Sequence, residues 1–157
     1  MAFGCLLLPA RGTISPNVDN SSKDYLTFRL ARRDLAVDSS RVRGILPLTE
    51  LMQVPGASSH VLGVASLSGH PVIVIDLRSR LHFTAASQGA QQRIVVVEAE
   101  GGRLAGFVAD RVANVVRYRS RDLRHGVLRG AGRRRQLVEI DEVIGDNDLV
   151  RLWPINF

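Results

Sequence analysis

The chain has 157 residues, 45% of them hydrophobic and 23% charged, with a net charge of +6. That length and composition suit one globular domain, or two small subdomains sharing a core. The single cysteine, Cys5, excludes an intramolecular disulfide and a cysteine-built metal site, and fits a reducing cytosol. No apolar run approaches the roughly 20 residues that a membrane-spanning helix needs.

Residues 1–22 mix Gly, Pro, Ser and Asn without periodicity and read as a flexible leader. The start lacks a basic segment, and Pro9 ends its apolar stretch Cys5–Leu8, so a leader is expected there in preference to a secretory signal. From Tyr25 to Leu30 apolar and polar residues alternate, the pattern of a half-buried strand. Arg32-Arg33-Asp34 reads as a hairpin turn returning through Leu35–Val37. Asp38-Ser39-Ser40 predicts the cap of a short helix carrying Val42, Ile45 and Leu46 at helical spacing. Pro47 and Pro55 bracket another short segment.

Val72–Ile75 is a continuous β-branched run, as in a strand buried on both faces. Leu77–Leu81 predicts one helical turn, and Thr84–Gln92 a loop. Arg93–Glu98 is a second β-branched strand, turning at Glu100–Arg103 into Leu104–Ala109. Val112–Tyr118 continues as strand, a polar stretch runs to Arg135, and Gln136–Ile140 is expected to be the next strand. Asp141–Ile144 begins a short helix. Many short strands with tight turns and brief helices predict an all-β barrel or sandwich.

Chemistry-bearing patterns are absent. His60, His70, His82 and His125 lack metal-ligand spacing, no serine sits in a nucleophile elbow, and no glycine run forms a phosphate-cradling loop. No catalytic, cofactor or metal residue is therefore assigned. Asp110 lies in an apolar strand with no His or second carboxylate nearby in sequence, which reads as a satisfied turn carboxylate.

An ordered set of motifs carries a family resemblance. It comprises the alternating strand Tyr25–Leu30, the return at Leu35–Val37, and Val42 and Ile45. Pro55 then precedes Val61-Leu62-Gly63-Val64, followed by Leu67, Gly69, Ile73 and Asp76-Leu77-Arg78. Val108, Asp110, Val112 and the strand Leu137–Asp141 complete it. Together they resemble the CheW-like domain of bacterial chemotaxis signalling. The resemblance implies two intertwined five-stranded SH3-like β-barrels, spanning residues 23–146, with residues 147–157 as a tail. It implies a non-enzymatic, cytoplasmic adaptor that couples the cytoplasmic tip of a chemoreceptor to a CheA-like histidine kinase. There would be no small-molecule substrate, and membrane contact only through the receptor. The protein-binding residues it implies are Val42, Ile45, Gly63, Ser66, Ser68 and Arg78.

Three features depart from or qualify that pattern. The family usually carries Asn-Leu-Arg-Gly where this chain has Ser66-Leu67-Ser68-Gly69, so Ser68 lacks the charge and reach of an interaction arginine. A common glutamate is replaced by Gly44, which in a helix would cost about 1 kcal/mol. The stretch Leu123–Arg135 is short and crowded with arginine.

Several residues keep two roles open. Gly63 and Gly69 either admit a partner's backbone or supply positive φ or a bulge. Arg78 either pairs with a partner carboxylate or is solvated, while Asp76 caps the following turn. The cluster Arg117, Arg119, Arg121, Arg124, Arg129, Arg133, Arg134 and Arg135 is the alternative functional signal. It could contact nucleic-acid phosphates, although only Tyr118 interleaves an aromatic ring. A solvated basic face is the competing reading, with Arg117, Arg119 and Arg121 alternating on one strand.

Overall fold

The computed structural model describes residues 21–49, 51–84, 91–130 and 132–144. The expected leader apart from Ser21 and Ser22, the tail and most of the Thr84–Gln92 loop lie outside those residues, and Ser22 already belongs to a strand.

Strands β1 (Ser22–Leu30) and β2 (Arg33–Asp38) form a two-residue hairpin. Its turn is Ala31-Arg32, both at positive φ (51° and 64°), rather than Arg32–Asp34. Two-residue hairpins favour this geometry because it matches strand twist. The buried carboxylate of Asp110 steadies the turn, accepting from the Ala31 N–H at 2.9 Å. Asp110 is thus a turn carboxylate.

Asp38 does cap a helical turn, accepting from the Ser40 N–H at 2.9 Å, but that turn is only the 3-10 segment Ser39–Arg41. Val42–Pro47 is strand β3 and not the expected helix. The reason is a bulge between Val42 and Gly44, which reverses the alternation. Apolar residues at positions 42, 45 and 46 therefore imitate helical spacing within a strand.

Strands β4 (Val61–Leu67) and β5 (His70–Ile75) pair through a turn at Ser68-Gly69, with φ of 51° and 82°. Helix α1 (Leu77–Arg80) is capped by Asp76, whose carboxylate accepts from the Arg78 N–H at 3.1 Å. Then come β6 (Arg93–Glu98), β7 (Leu104–Ala109) and β8 (Arg111–Arg119). The polar stretch beyond holds three more strands, β9 (Leu123–Arg124), β10 (Val127–Gly130) and β11 (Arg133–Leu137), before α2 (Ile140–Val143). The last strand thus ends at Leu137, not Ile140. The arginines that obscure these strands mostly point to solvent.

The strands make two sheets, ordered β8-β1-β2-β11-β10-β9 and β3-β6-β7-β5-β4. The first joins the two ends of the described chain, and the second is inserted between them, so the halves are intertwined. Each contains one parallel pair, β2 with β11 and β5 with β7. This is the double-barrel, mostly β architecture expected, with a two-residue sixth strand added to the first sheet.

The main core lies between the sheets. Leu26, Phe28, Leu30, Leu35 and Val37 come from the first; Ile73, Ile75, Val95, Val97 and Phe107 come from the second. The opposite face of each sheet has its own smaller core. Tyr25, Ala36, Tyr118 and Leu128 fill one; Val72, Val74, Ile94 and Val96 fill the other. The runs Val72–Ile75 and Ile94–Val97 are apolar throughout because each strand buries both faces.

A polar clamp ties the linking turn to both ends of the fold. Arg41 makes two hydrogen bonds to the Asp141 carboxylate, at 2.8 and 3.2 Å, and donates to the Glu98 carbonyl at 2.8 Å. The Arg41 guanidinium holds the Asp141 carboxyl below its ordinary 3.8. A depressed carboxylate contributes stability above its unfolded pKa and loses it as pH falls through the folded value. Asp141→Asn should therefore lower stability by at most about 1 kcal/mol near pH 7, since both side chains are partly exposed. That deficit should shrink as pH falls below the ordinary 3.8 and vanish once pH has passed through the lowered folded value. Urea midpoints of both proteins across this range check it; a deficit independent of pH would contradict the assignment.

Candidate protein-docking surface

A cleft of about 380 Å³ opens where the two sheets meet. Leu30 reaches it from β1; Leu62 and Val108 reach it from β4 and β7. Leu48, Thr49 and Leu51 form one wall, and Asp76, Arg78, Gln92 and Asp110 supply its polar groups. Apolar side chains are exposed on the wall segment, Leu48 at 37% and Met52 at 55%, and Ile45 on β3 is 45% exposed.

Gly63 explains how that wall is built. The segment Leu51-Met52 crosses β4, and Met52 and Val64 exchange backbone hydrogen bonds at 3.0 and 2.8 Å. A Cβ on Gly63 would lie 2.7 Å from both the Leu51 Cβ and the Met52 carbonyl oxygen. The crossing lies flush on β4 because residue 63 has no side chain. Its φ of 153°, at a bulge in the β4–β5 pairing, also suits glycine. Gly63 is buried and faces this segment.

The other residues singled out from sequence divide similarly. Val42 is half-buried against the main core. Ile45 is exposed on β3, which ends its sheet. Ser66 and Ser68 are exposed at the β4–β5 hairpin, with Ser68 in its turn. That hairpin neighbours β3, because a Cβ on Gly44 would meet the Leu67 Cδ1 at 3.2 Å. The space beside a longer side chain at position 44 is thus taken by Leu67. Arg78 lines the cleft with its Nε 3.8 Å from the Asp76 carboxylate. The structure brings Ile45, Ser66 and Ser68 to one edge and Arg78 to the cleft, while Val42 and Gly63 face inward.

Leu48, Leu51 and Met52 were missed in the sequence. Their signal was present: apolar residues between Pro47 and Pro55 with no periodic element to bury them.

The arginine cluster is dispersed over several elements. Arg117 and Arg119 are exposed on β8 either side of buried Tyr118, but Arg121 lies in the 3-10 turn Ser120–Asp122 and leaves that strand face. Arg117 pairs with Asp24 through two hydrogen bonds, at 2.8 and 3.2 Å, which lower the Asp24 pKa. Arg135 donates to the Tyr118 hydroxyl. Among the described residues no group of three or more His, Cys, Asp and Glu could hold a metal ion, and no helix is long and apolar enough to cross a membrane.

The family model of the CheW-like domain matches residues 24–150. The chain belongs to the CheW-like family. It is 28% identical over 141 residues to the chemotaxis protein CheW of Rhizobium meliloti (strain 1021), covering 81% of this chain and 90% of that one. The corresponding protein of Klebsiella aerogenes is 27% identical over 105 residues, 65% of this chain and 61% of its own length. The fold resembles the crystal structure of the scaffolding protein TtCheW from Thermoanaerobacter tengcongensis, with a TM-score of 0.73 at 19% identity. That likeness covers 82% of this chain and 92% of the other.

Proposed function

We propose that this chain is a non-enzymatic adaptor of a chemotaxis-type signalling system, coupling the cytoplasmic tip of a chemoreceptor to a CheA-like histidine kinase. Membership of the CheW-like family supports the adaptor role. The observation that carries the docking reading is the cleft between the sheets, with Leu48 and Met52 exposed along its wall segment, together with Ile45 exposed on β3. An amphipathic helix laid into such a groove buries apolar side chains along one face. An adaptor that holds two proteins at once lets a change in one bias the equilibrium of the other. In this reading the protein works in the cytoplasm and meets the membrane only through the receptor. Ile45, Ser66, Ser68 and Arg78 lie on or beside the contact faces, and Val42 and Gly63 support them from within.

The test is a pull-down with purified chain, nuclease added, against a receptor cytoplasmic fragment and the kinase from the same genome. The variant Ile45→Ser/Leu48→Ser/Met52→Ser changes surface residues and should keep the fold. It should weaken one partner at least about tenfold, since hot-spot truncations each cost on the order of 1–2 kcal/mol. Recovery of neither partner by the wild type would overturn the coupling role. Unchanged binding by a folded variant would remove this surface from it. Nucleic acid retained without nuclease, and lost steeply with salt, would favour the arginine reading instead.

A further inference from the structure

A second cleft, of about 420 Å³, lies in the first sheet, away from the apolar one and sharing no lining residue with it. Its lining includes four arginines, Arg29, Arg111, Arg133 and Arg135, against one carboxylate, Asp34. Arg29 is already engaged, its Nε lying 3.3 Å from the Asp34 carboxylate. Arg111, Arg133 and Arg135 have no ion-pair partner among the described residues.

The site is built on firm supports. Arg135 donates to the Tyr118 hydroxyl, and the Tyr118 ring packs edge-on against Tyr25 at 5.9 Å. That guanidinium is therefore held before any ligand arrives. At the cleft the β1–β8 register shifts, with Ala113 and Asn114 as an insertion opposite Thr27. The Thr27 hydroxyl donates to the Asn114 carbonyl at 2.7 Å and closes the gap. Such bulges recur where a strand re-aims side chains toward a site.

The chemistry favours carboxylates on an extended peptide. Guanidiniums pair bidentately with carboxylates and phosphates. The cleft lacks an exposed ring for base stacking, because Tyr118 and Phe28 are both buried, which disfavours single-stranded nucleic acid. Strand β8 ends its sheet, and Val115, on it and beside the cleft, is 56% exposed. An edge strand with an apolar side chain next to a basic cleft suits a peptide segment that adds main-chain and side-chain contacts together.

We propose that this cleft binds an acidic segment of a protein partner, whose Asp or Glu side chains pair with Arg111, Arg133 and Arg135. It is independent of the coupling role, because it uses neither the cleft between the sheets nor its residues.

The experiment measures fluorescence anisotropy of labelled hexaglutamate with the full chain at about 0.15 M ionic strength, where distant charges are screened. The variant Arg111→Gln/Arg133→Gln is compared with Arg121→Gln/Arg129→Gln, which removes the same charge outside the cleft. The first should weaken binding more than about tenfold and the second less than about threefold, because contact pairs act at short range. Equal losses would mean diffuse attraction and overturn the site. So would failure of the wild type to bind hexaglutamate, tighter binding of labelled oligothymidine, or displacement of the peptide by equimolar inorganic phosphate.

Discussion

Phe28→Ala is expected to cost about 3–5 kcal/mol and to unfold both sheets in a single transition. Phe28 is 2% exposed on β1, and its ring lies 5.0 Å from that of Phe107 on β7. The pair therefore spans the main core and joins one sheet to the other. Removing the ring deletes apolar burial, leaves a cavity between two sheets that cannot both collapse into it, and forfeits the aromatic contact, itself worth about 0.5–1.5 kcal/mol. Against a total stability of about 5–15 kcal/mol, that is a large fraction. The cooperativity follows from where the core sits: neither sheet can keep its inner face covered without the other.

Urea unfolding followed by two local probes checks this. The near-ultraviolet signal of Tyr25 and Tyr118 reports the first sheet, and amide exchange in β6 and β7 reports the second. The two transitions should coincide in wild type and variant alike. Protected β6 and β7 amides after the tyrosine signal is lost would show two separately stable barrels. Phe107→Ala should cost a similar amount, and the double variant less than the sum, because the two rings share one contact.

The strands that were legible in the sequence are those whose burial their composition states outright. Val72–Ile75 alternates between the main core and the smaller core of its sheet, so it shows no period and reads as a strand covered twice. Tyr25–Leu30 shows its period because Thr27 and Arg29 are polar, although only Arg29 faces solvent: Tyr25 and Thr27 are buried on the opposite face from Leu26, Phe28 and Leu30, so the strand is covered twice over most of its length and not half-buried. The family was legible for the same reason: its motifs are turns and buried strands, read residue by residue. Strand β3 was not legible, since a bulge shifts its register by one residue and no local pattern marks a bulge. Strands β9, β10 and β11 were hidden by arginines whose solvent-facing side chains break the apolar count.

The candidate site was legible only in part, for a different reason. Exposure is a tertiary property, and Ile45 reaches solvent only because β3 ends its sheet. Leu48 and Met52 belong to no regular element with a period to read, and Gly63 gives no sequence sign of the backbone that crosses above it.

Gly63 carries the second large expected effect. Gly63→Val should lower stability by about 1–3 kcal/mol, the range for overpacking a filled site, and should lift the Leu51-Met52 crossing away from β4. From sequence alone, a bulky residue here would be expected to weaken partner binding and spare the fold. The geometry joins the two effects. The first added carbon already meets the Leu51 Cβ and the Met52 carbonyl at 2.7 Å, so even Gly63→Ala should destabilise. Displacing Met52 also strains its two hydrogen bonds with Val64 and moves Leu51, a wall of the cleft. Binding at that cleft should therefore fall in whatever fraction remains folded. Leu51→Ala does not relieve the contact, because alanine keeps the Cβ that Gly63→Ala would strike and leaves the Met52 carbonyl in place. The two substitutions should then add their costs instead of offsetting each other. Urea midpoints for Gly63→Ala, Leu51→Ala and the double variant separate the cases. A Gly63→Val midpoint equal to the wild type would mean that the crossing is free to move, and Gly63 would return to the role of a contact residue.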